Sequence, residues 1–182
     1  MNPFPLKSVL TLLLTGTLAM GSAHIAFADD DDDDWFESPQ TLAPPVNATY
    51  NQECGSCHMA YPPGLLPPQA WAQIMTPDAL TDHYGDDAGL SEERRTEISA
   101  FLQAGASRVT LRMAPSGAVS GLPRITDSIA FKHEHDEIPA RLVTGNPEVG
   151  RFSQCNACHR KAAEGSYDER WIDIPGHGPW KD

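Results

Sequence analysis

Four cysteines and the residues beside them carry the first chemical signal in this chain. Cys54-Gly55-Ser56-Cys57-His58 returns as Cys155-Asn156-Ala157-Cys158-His159, and the two runs use every cysteine present. A C-x-x-C-H run is the attachment sequence of a c-type haem: the thiols add across the porphyrin vinyl groups, and the adjacent histidine reaches the iron. Cys54, Cys57, Cys155 and Cys158 are therefore the expected anchors of two covalently bound haem c groups, with His58 and His159 as the first axial ligands of the two irons. Zinc ribbons pair their C-x-x-C units across roughly 15 to 20 residues. Here 97 positions lie between Cys57 and Cys155. A C-x-x-C pair closed on itself makes a strained disulfide of catalytic rather than structural type. A zinc or thiol-redox module is thus the weaker alternative.

Each iron has a second axial position to fill. Of the seven histidines, His24 lies in the N-terminal leader discussed below, which leaves His83, His133, His135 and His177. His83 follows His58 by about one small helical segment and is the candidate for the first haem, as no other histidine lies in that part of the chain. His133 and His135 are two apart, so on a helix they point to different sides and only one can reach a given iron. Both could equally face solvent among Lys132, Glu134, Asp136 and Glu137, and His177 sits in a glycine-flanked tail. Methionine is the competing ligand and raises the potential relative to histidine. Met59 is too close to its own motif to cross to the far face, and Met75 and Met113 stay open as candidates.

An iron held by imidazole on both faces changes oxidation state but has no vacant position for peroxide or oxygen. The expected function is electron transfer without substrate chemistry, at low potential, because imidazole favours ferric iron more than a thioether does. The rival enzyme is a dihaem peroxidase. It would need one haem to lose its sixth ligand and an acid/base group, such as Glu134 or Glu137, above the iron. The chain is short for such an enzyme.

The N-terminus supplies an independent argument. Residues 1–28 hold one charge, Lys7, then an apolar run from Val9 to Met20, then Ala26-Phe27-Ala28. That is the order of a cleaved secretory signal peptide, and the run falls short of the about 20 residues a spanning helix needs. Export to the periplasm is expected, with no transmembrane segment in the mature chain. The full chain has 25 Asp and Glu against 13 Lys and Arg, a net charge of -12. Such a surface excludes nucleic-acid binding, which needs basic groups against phosphate. It suits solubility, and equally the steering of a basic partner.

The elements that must position these groups follow in order. Asp29 to Asp34 is a run of aspartates that self-repulsion keeps extended, and residues 29–46 read as an acidic tail and linker. Residues 47–122 are expected to form a first haem lobe and 123–182 a second. A short helix from Tyr50 to Met59 leads into the first motif, and Tyr61-Pro62-Pro63-Gly64-Leu65-Leu66-Pro67-Pro68 cannot be regular helix. Gln69 to Met75 reads as a helix with Trp71, Ile74 and Met75 on one face, and Pro77 to Tyr84 as another, ended by Gly85. Ser91 caps a longer helix to Gln103, with Glu92 and Glu93 in its first turn, and Gly105 terminates it. Val109, Leu111 and Met113 alternate as in a brief strand, and Asn146-Pro147-Glu148 begins a helix that carries the second motif to near Gly165. The fold class is mostly α with long irregular loops, two small c-type haem lobes and little or no β-sheet.

At this level of detail the chain resembles the bacterial periplasmic dihaem cytochrome c family. The matching words are Cys54 through Pro67, then Trp71 with Ile74-Met75, His83-Tyr84-Gly85-Asp86, Arg124-Ile125-Thr126, His135-Asp136-Glu137-Ile138-Pro139 and the second motif. They run from about Asn51 to Ile174. The resemblance implies two low-spin haems with histidine on both faces, a mostly helical two-lobed structure and electron delivery to a partner. In similar proteins that partner is an oxygen-binding monohaem cytochrome c or a membrane b-type cytochrome. His83 and His135 match the family's distal histidines, His133 has no counterpart, and the aspartate run departs from the pattern.

Overall fold

Asn47 opens the first helix by accepting the Tyr50 N–H on its side-chain oxygen at 2.7 Å, which satisfies one orphan donor of α1 (Ala48–Cys54). The helix stops at the first cysteine of the motif rather than continuing to Met59. Ser56 accounts for the stop: its hydroxyl donates to the Glu53 carbonyl at 2.9 Å and takes an acceptor that the next helical turn would need. The prolines that follow form a tight 3-10 turn at Pro63–Leu65, and α2 (Pro68–Ile74) starts with proline at its first position, where the missing N–H costs nothing.

α3 (Pro77–Thr81) is capped by the Thr76 hydroxyl on the Ala79 N–H. It ends three residues sooner than expected, because His83 and Asp86 bond to each other, N–H to carbonyl, at 2.7 and 3.2 Å. This closes a two-residue turn with Tyr84 at φ 57° and Gly85 at φ 104°. Both central residues are left-handed, as the tight hairpin turn requires, which suits Gly85 and is costly for Tyr84.

α4 (Glu92–Gly105) has the expected Ser91 cap, with Glu92 and Glu93 in its first turn. It runs through Gly105 rather than ending before it. The glycine serves close approach instead of termination: a Cβ there would sit 3.0 Å from the Pro63 side chain. Ile98 and Leu102 are fully buried on α4 and join Tyr50, Leu66, Ala70, Trp71, Ile74, Met75 and Leu80 in one apolar cluster. Burial of each such side chain is worth about 1.5–3 kcal/mol. The face predicted for α2 is therefore the core face.

The C-terminal part is built from shorter pieces. A 3-10 turn at Ile125–Asp127 leads into α5 (Ile129–His133), whose cap Ser128 is buried and accepts from the Phe131 N–H at 3.0 Å. α6 (Ala140–Val143) follows Pro139 and had no signal strong enough to predict it. The helix expected from Asn146 does not form. Asn146 does accept from the Glu148 N–H at 3.1 Å, but Gly150 enters the left-handed region at φ 78° and returns its own N–H to the Asn146 carbonyl, which closes the segment as turns. Only α7 (Cys155–Cys158) carries the second motif, and a 3-10 turn at Ala162–Glu164 ends on left-handed Gly165.

The tail folds back as a minimal antiparallel pair, β1 (Asp173–Ile174) with β2 (Gly178–Pro179), in the register Asp173 to Pro179 and Ile174 to Gly178. Ile172 bridges to His159, and the Asn146 side chain donates to the Pro175 carbonyl at 2.8 Å, so the tail is pinned against the second motif. The architecture is mostly helical, as the sequence reading expected.

The computed structural model describes residues 44–106 and 121–180, all within one unit, Asp33–Asp182. The expected leader, the Asp29 to Asp34 run and the Val109 to Met113 alternation lie outside the described residues. Among the described residues no helix is long and apolar enough to cross a membrane.

Candidate haem sites

Cys54 ends α1 and Cys57 lies in the turn after it, while Cys155 and Cys158 are the first and last residues of α7. All four are free thiols. Burial pushes Cys54 and Cys155 up to about 11 each, and pushes Cys158 up as well. Cys57 is exposed, and the other three are partly buried. Among the described residues no group of three or more His, Cys, Asp and Glu is placed to hold a metal ion.

The histidines assemble in pairs. His58 faces His83 with ring centres 6.3 Å apart and planes inclined by 21°, and His135 faces His159 at 6.0 Å and 59°. Each pair joins one motif histidine to one histidine distant from it in the chain. The remaining two candidates are placed otherwise. His133 is exposed at the end of α5, and His177 is exposed with its ring 5.6 Å from that of Trp180. Met75 is buried in the apolar cluster, and Met113 lies outside the described residues.

The separations test the fit of a metal between the rings. A nitrogen-to-metal bond of about 2 Å on each side, with about 1 Å from each nitrogen to its ring centre, requires about 6 Å between centres. Both pairs meet that requirement.

Backbone carbonyls orient one ring of each pair. His58 donates from Nδ1 to the Met59 carbonyl at 2.7 Å, and His135 from Nδ1 to the Phe131 carbonyl at 2.8 Å. A carbonyl only accepts, so Nδ1 carries the proton and Nε2 keeps the lone pair that a metal uses. The partner rings differ: His83 Nδ1 and His159 Nδ1 are buried with no hydrogen-bond partner. Burial lowers the His159 pKa to about 4, with the His135 imidazole adding to the effect. Burial lowers that of His83 too, helped by His58 and Arg124 and opposed by Asp86. Both are held neutral, the protonation state of a ligand.

Aromatic side chains hold the pairs in place. The Tyr61 ring lies over His58 at 4.7 Å and 19°, and Phe131 lies over His135 at 3.9 Å and 10° with Phe152 edge-on to His135. Tyr84 stands edge-on to His83 at 4.8 Å; its hydroxyl donates to the Pro123 carbonyl, and the Arg124 guanidinium lies 4.2 Å from its ring centre. A cavity of about 410 Å³ beside the second pair is lined by Thr126, Phe131, Lys132, His135, Asp136 and Phe152. Tyr61, Tyr84, Phe131, Phe152 and Tyr167 were not singled out by sequence reasoning. The available signal was adjacency: Phe131 precedes His135 by one helical turn, and Tyr84 follows His83 directly.

A helical scaffold carrying two thiol pairs, each with a histidine couple spaced for one iron, defines a two-haem protein of the c type. The dihaem cytochrome c family model matches residues 50–167, and the chain belongs to that family. Its cofactors are accordingly two c-type haems, and its class is that of electron carriers. A dihaem cytochrome c from Shewanella baltica OS155 is 42% identical, covering 74% of this chain and 98% of that one with a TM-score of 0.64. One from Rhodobacter sphaeroides is 33% identical, covering 69% and 99% with a TM-score of 0.57. No curated protein matches the chain.

Proposed function

We propose that this protein is a periplasmic electron carrier in which His58 with His83, and His135 with His159, close both axial positions of their irons. The spacing of the two imidazole pairs, 6.3 and 6.0 Å, carries the reading. Cys54 and Cys57 would hold the first haem, and Cys155 and Cys158 the second. When bound, the haems supply reversible one-electron chemistry, and the chain sets its conditions. Imidazole on both faces favours the ferric state more than a thioether does, and so a low potential. The carbonyls of Met59 and Phe131 hold two of these rings in one tautomer and raise their basicity, which acts in the same direction. The aromatic rings beside them limit the access of water.

The leader-like segment 1–28 supports export, and the net charge of -12 supports encounter with a basic redox partner. By family resemblance that partner is an oxygen-binding monohaem cytochrome c or a membrane b-type cytochrome. A redox titration of the purified protein, followed in the visible and by magnetic spectroscopy, tests the reading. Two six-coordinate low-spin haems of low potential are expected. A high-spin fraction that turns over peroxide would reject it in favour of a peroxidase.

A further inference from the structure

We propose that Tyr61 is the join between the two haem sites, its ring and hydroxyl forming the contact route by which an electron passes from one to the other. The inference rests on the two-haem electron-carrier reading above. Tyr61 reaches the first motif directly and the second through Ser153. Its ring covers His58 at 4.7 Å, nearly parallel, and its hydroxyl donates at 2.7 Å to the carbonyl of Ser153, 92 residues away. That same carbonyl oxygen lies 3.9 Å from Cys155 Sγ, the first thiol of the second motif. The route is thus one ring contact, one hydrogen bond and one sulfur contact, with no open gap between His58 and Cys155.

The residue is also fixed. The Tyr61 carbonyl accepts from the Tyr50 hydroxyl at 2.9 Å, and Pro62, fully buried, restricts the backbone before it. The Ser153 carbonyl only accepts, so the Tyr61 hydroxyl carries its proton in this contact and acts as the donor. On the second site the Tyr167 ring centre lies 5.2 Å from that of His159. Among the described residues, the Tyr84 hydroxyl bond to the Pro123 carbonyl also joins segments distant in sequence, but it ends far in sequence from either cysteine of the second motif. In the step itself one electron crosses: one site is oxidised by one equivalent, the other is reduced by one, and Tyr61 is neither oxidised nor deprotonated.

The test is Tyr61→Phe in the mature two-haem protein, with the inter-haem exchange rate read by two-dimensional exchange NMR on the half-reduced sample. Phenylalanine keeps the ring over His58 and removes the bond to Ser153. A several-fold slower exchange with both low-spin spectra unchanged is expected, and 4-aminophenylalanine at position 61, which can donate to the same carbonyl, should restore the rate. An unchanged rate overturns the inference, as does a slower rate accompanied by loss of the first haem's low-spin spectrum, since Tyr61 would then only pack. If the phenylalanine variant fails to mature, 4-aminophenylalanine is compared with 4-methylphenylalanine, and equal rates overturn it. A wild-type protein lacking two haems would instead overturn the underlying carrier reading.

Discussion

His58 and His83 present imidazole planes only 21° apart, whereas the planes of His135 and His159 differ by 59°. Imidazole π-donation acts on one of two near-degenerate iron d orbitals, chosen by the plane of the ring. Parallel rings act on the same orbital and split the pair, while strongly crossed rings act on both and leave it nearly degenerate. The oxidised protein should therefore give two distinct low-spin EPR signals, one rhombic from the first site and one with a larger maximum g value from the second. Replacing His83 should remove the rhombic signal alone. Two identical signals would show that the rings do not keep these orientations around iron.

His83→Met should raise the potential of the first haem and leave the second nearly untouched. A thioether stabilises ferric iron less than an imidazole does, and His83 belongs to the pair formed with His58, not to the one formed with His159. A potentiometric titration in the visible reads both values. Unchanged curves would remove His83 from the ligand set.

Tyr84 holds a left-handed conformation, φ 57°, that costs a non-glycine residue about 1–3 kcal/mol. Its hydroxyl bond to Pro123 and the Arg124 guanidinium over its ring hold that conformation, and with it the turn that presents His83. Tyr84→Phe leaves the Pro123 carbonyl without this donor and should lower stability by about 1–3 kcal/mol. The expected functional sign is a first haem that binds carbon monoxide more readily, because His83 is released more easily. A variant with wild-type melting and no carbon monoxide spectrum would show that the turn holds without Tyr84.

Much of this is legible in the sequence itself, and the reason is locality. The two C-x-x-C-H runs, the Ser91 cap and the buried face of α2 each depend on residues within a turn or two of one another. The turn at His83 depends on Pro123 and Arg124, some 40 residues on, so a run that reads as helix to Tyr84 leaves the helix at Asp82 instead. Asn146-Pro147-Glu148 is a sound helix-start pattern, but side-chain acceptance by Asn146 serves a turn equally well, and Gly150 then decides for the turn. Choosing His135 over His133 as the partner of His159 required the three-dimensional pairing or the family resemblance, since both lie in the same polar run.

Trp71 and Arg94 should separate structural weight from surface decoration. Trp71 is buried in the apolar cluster, and its indole N–H donates to the Pro63 carbonyl at 2.7 Å, which ties α2 to the proline turn beyond the first motif. Trp71→Phe keeps most of the apolar volume and leaves that carbonyl only its longer bond from the Leu66 N–H at 3.4 Å, for a cost of about 0.5–1.5 kcal/mol. Trp71→Ala adds a cavity, for about 3–5 kcal/mol in all. Arg94 pairs with Glu53 at 2.5 Å, yet the arginine side chain is 53% exposed. Solvent screening holds such a pair to about 0–1 kcal/mol, so Arg94→Ala should barely move the melting temperature. Thermal unfolding of the three variants under one buffer gives the order. If Arg94→Ala melts below Trp71→Phe, the packing of the proline turn on α2 is not what holds the first site together.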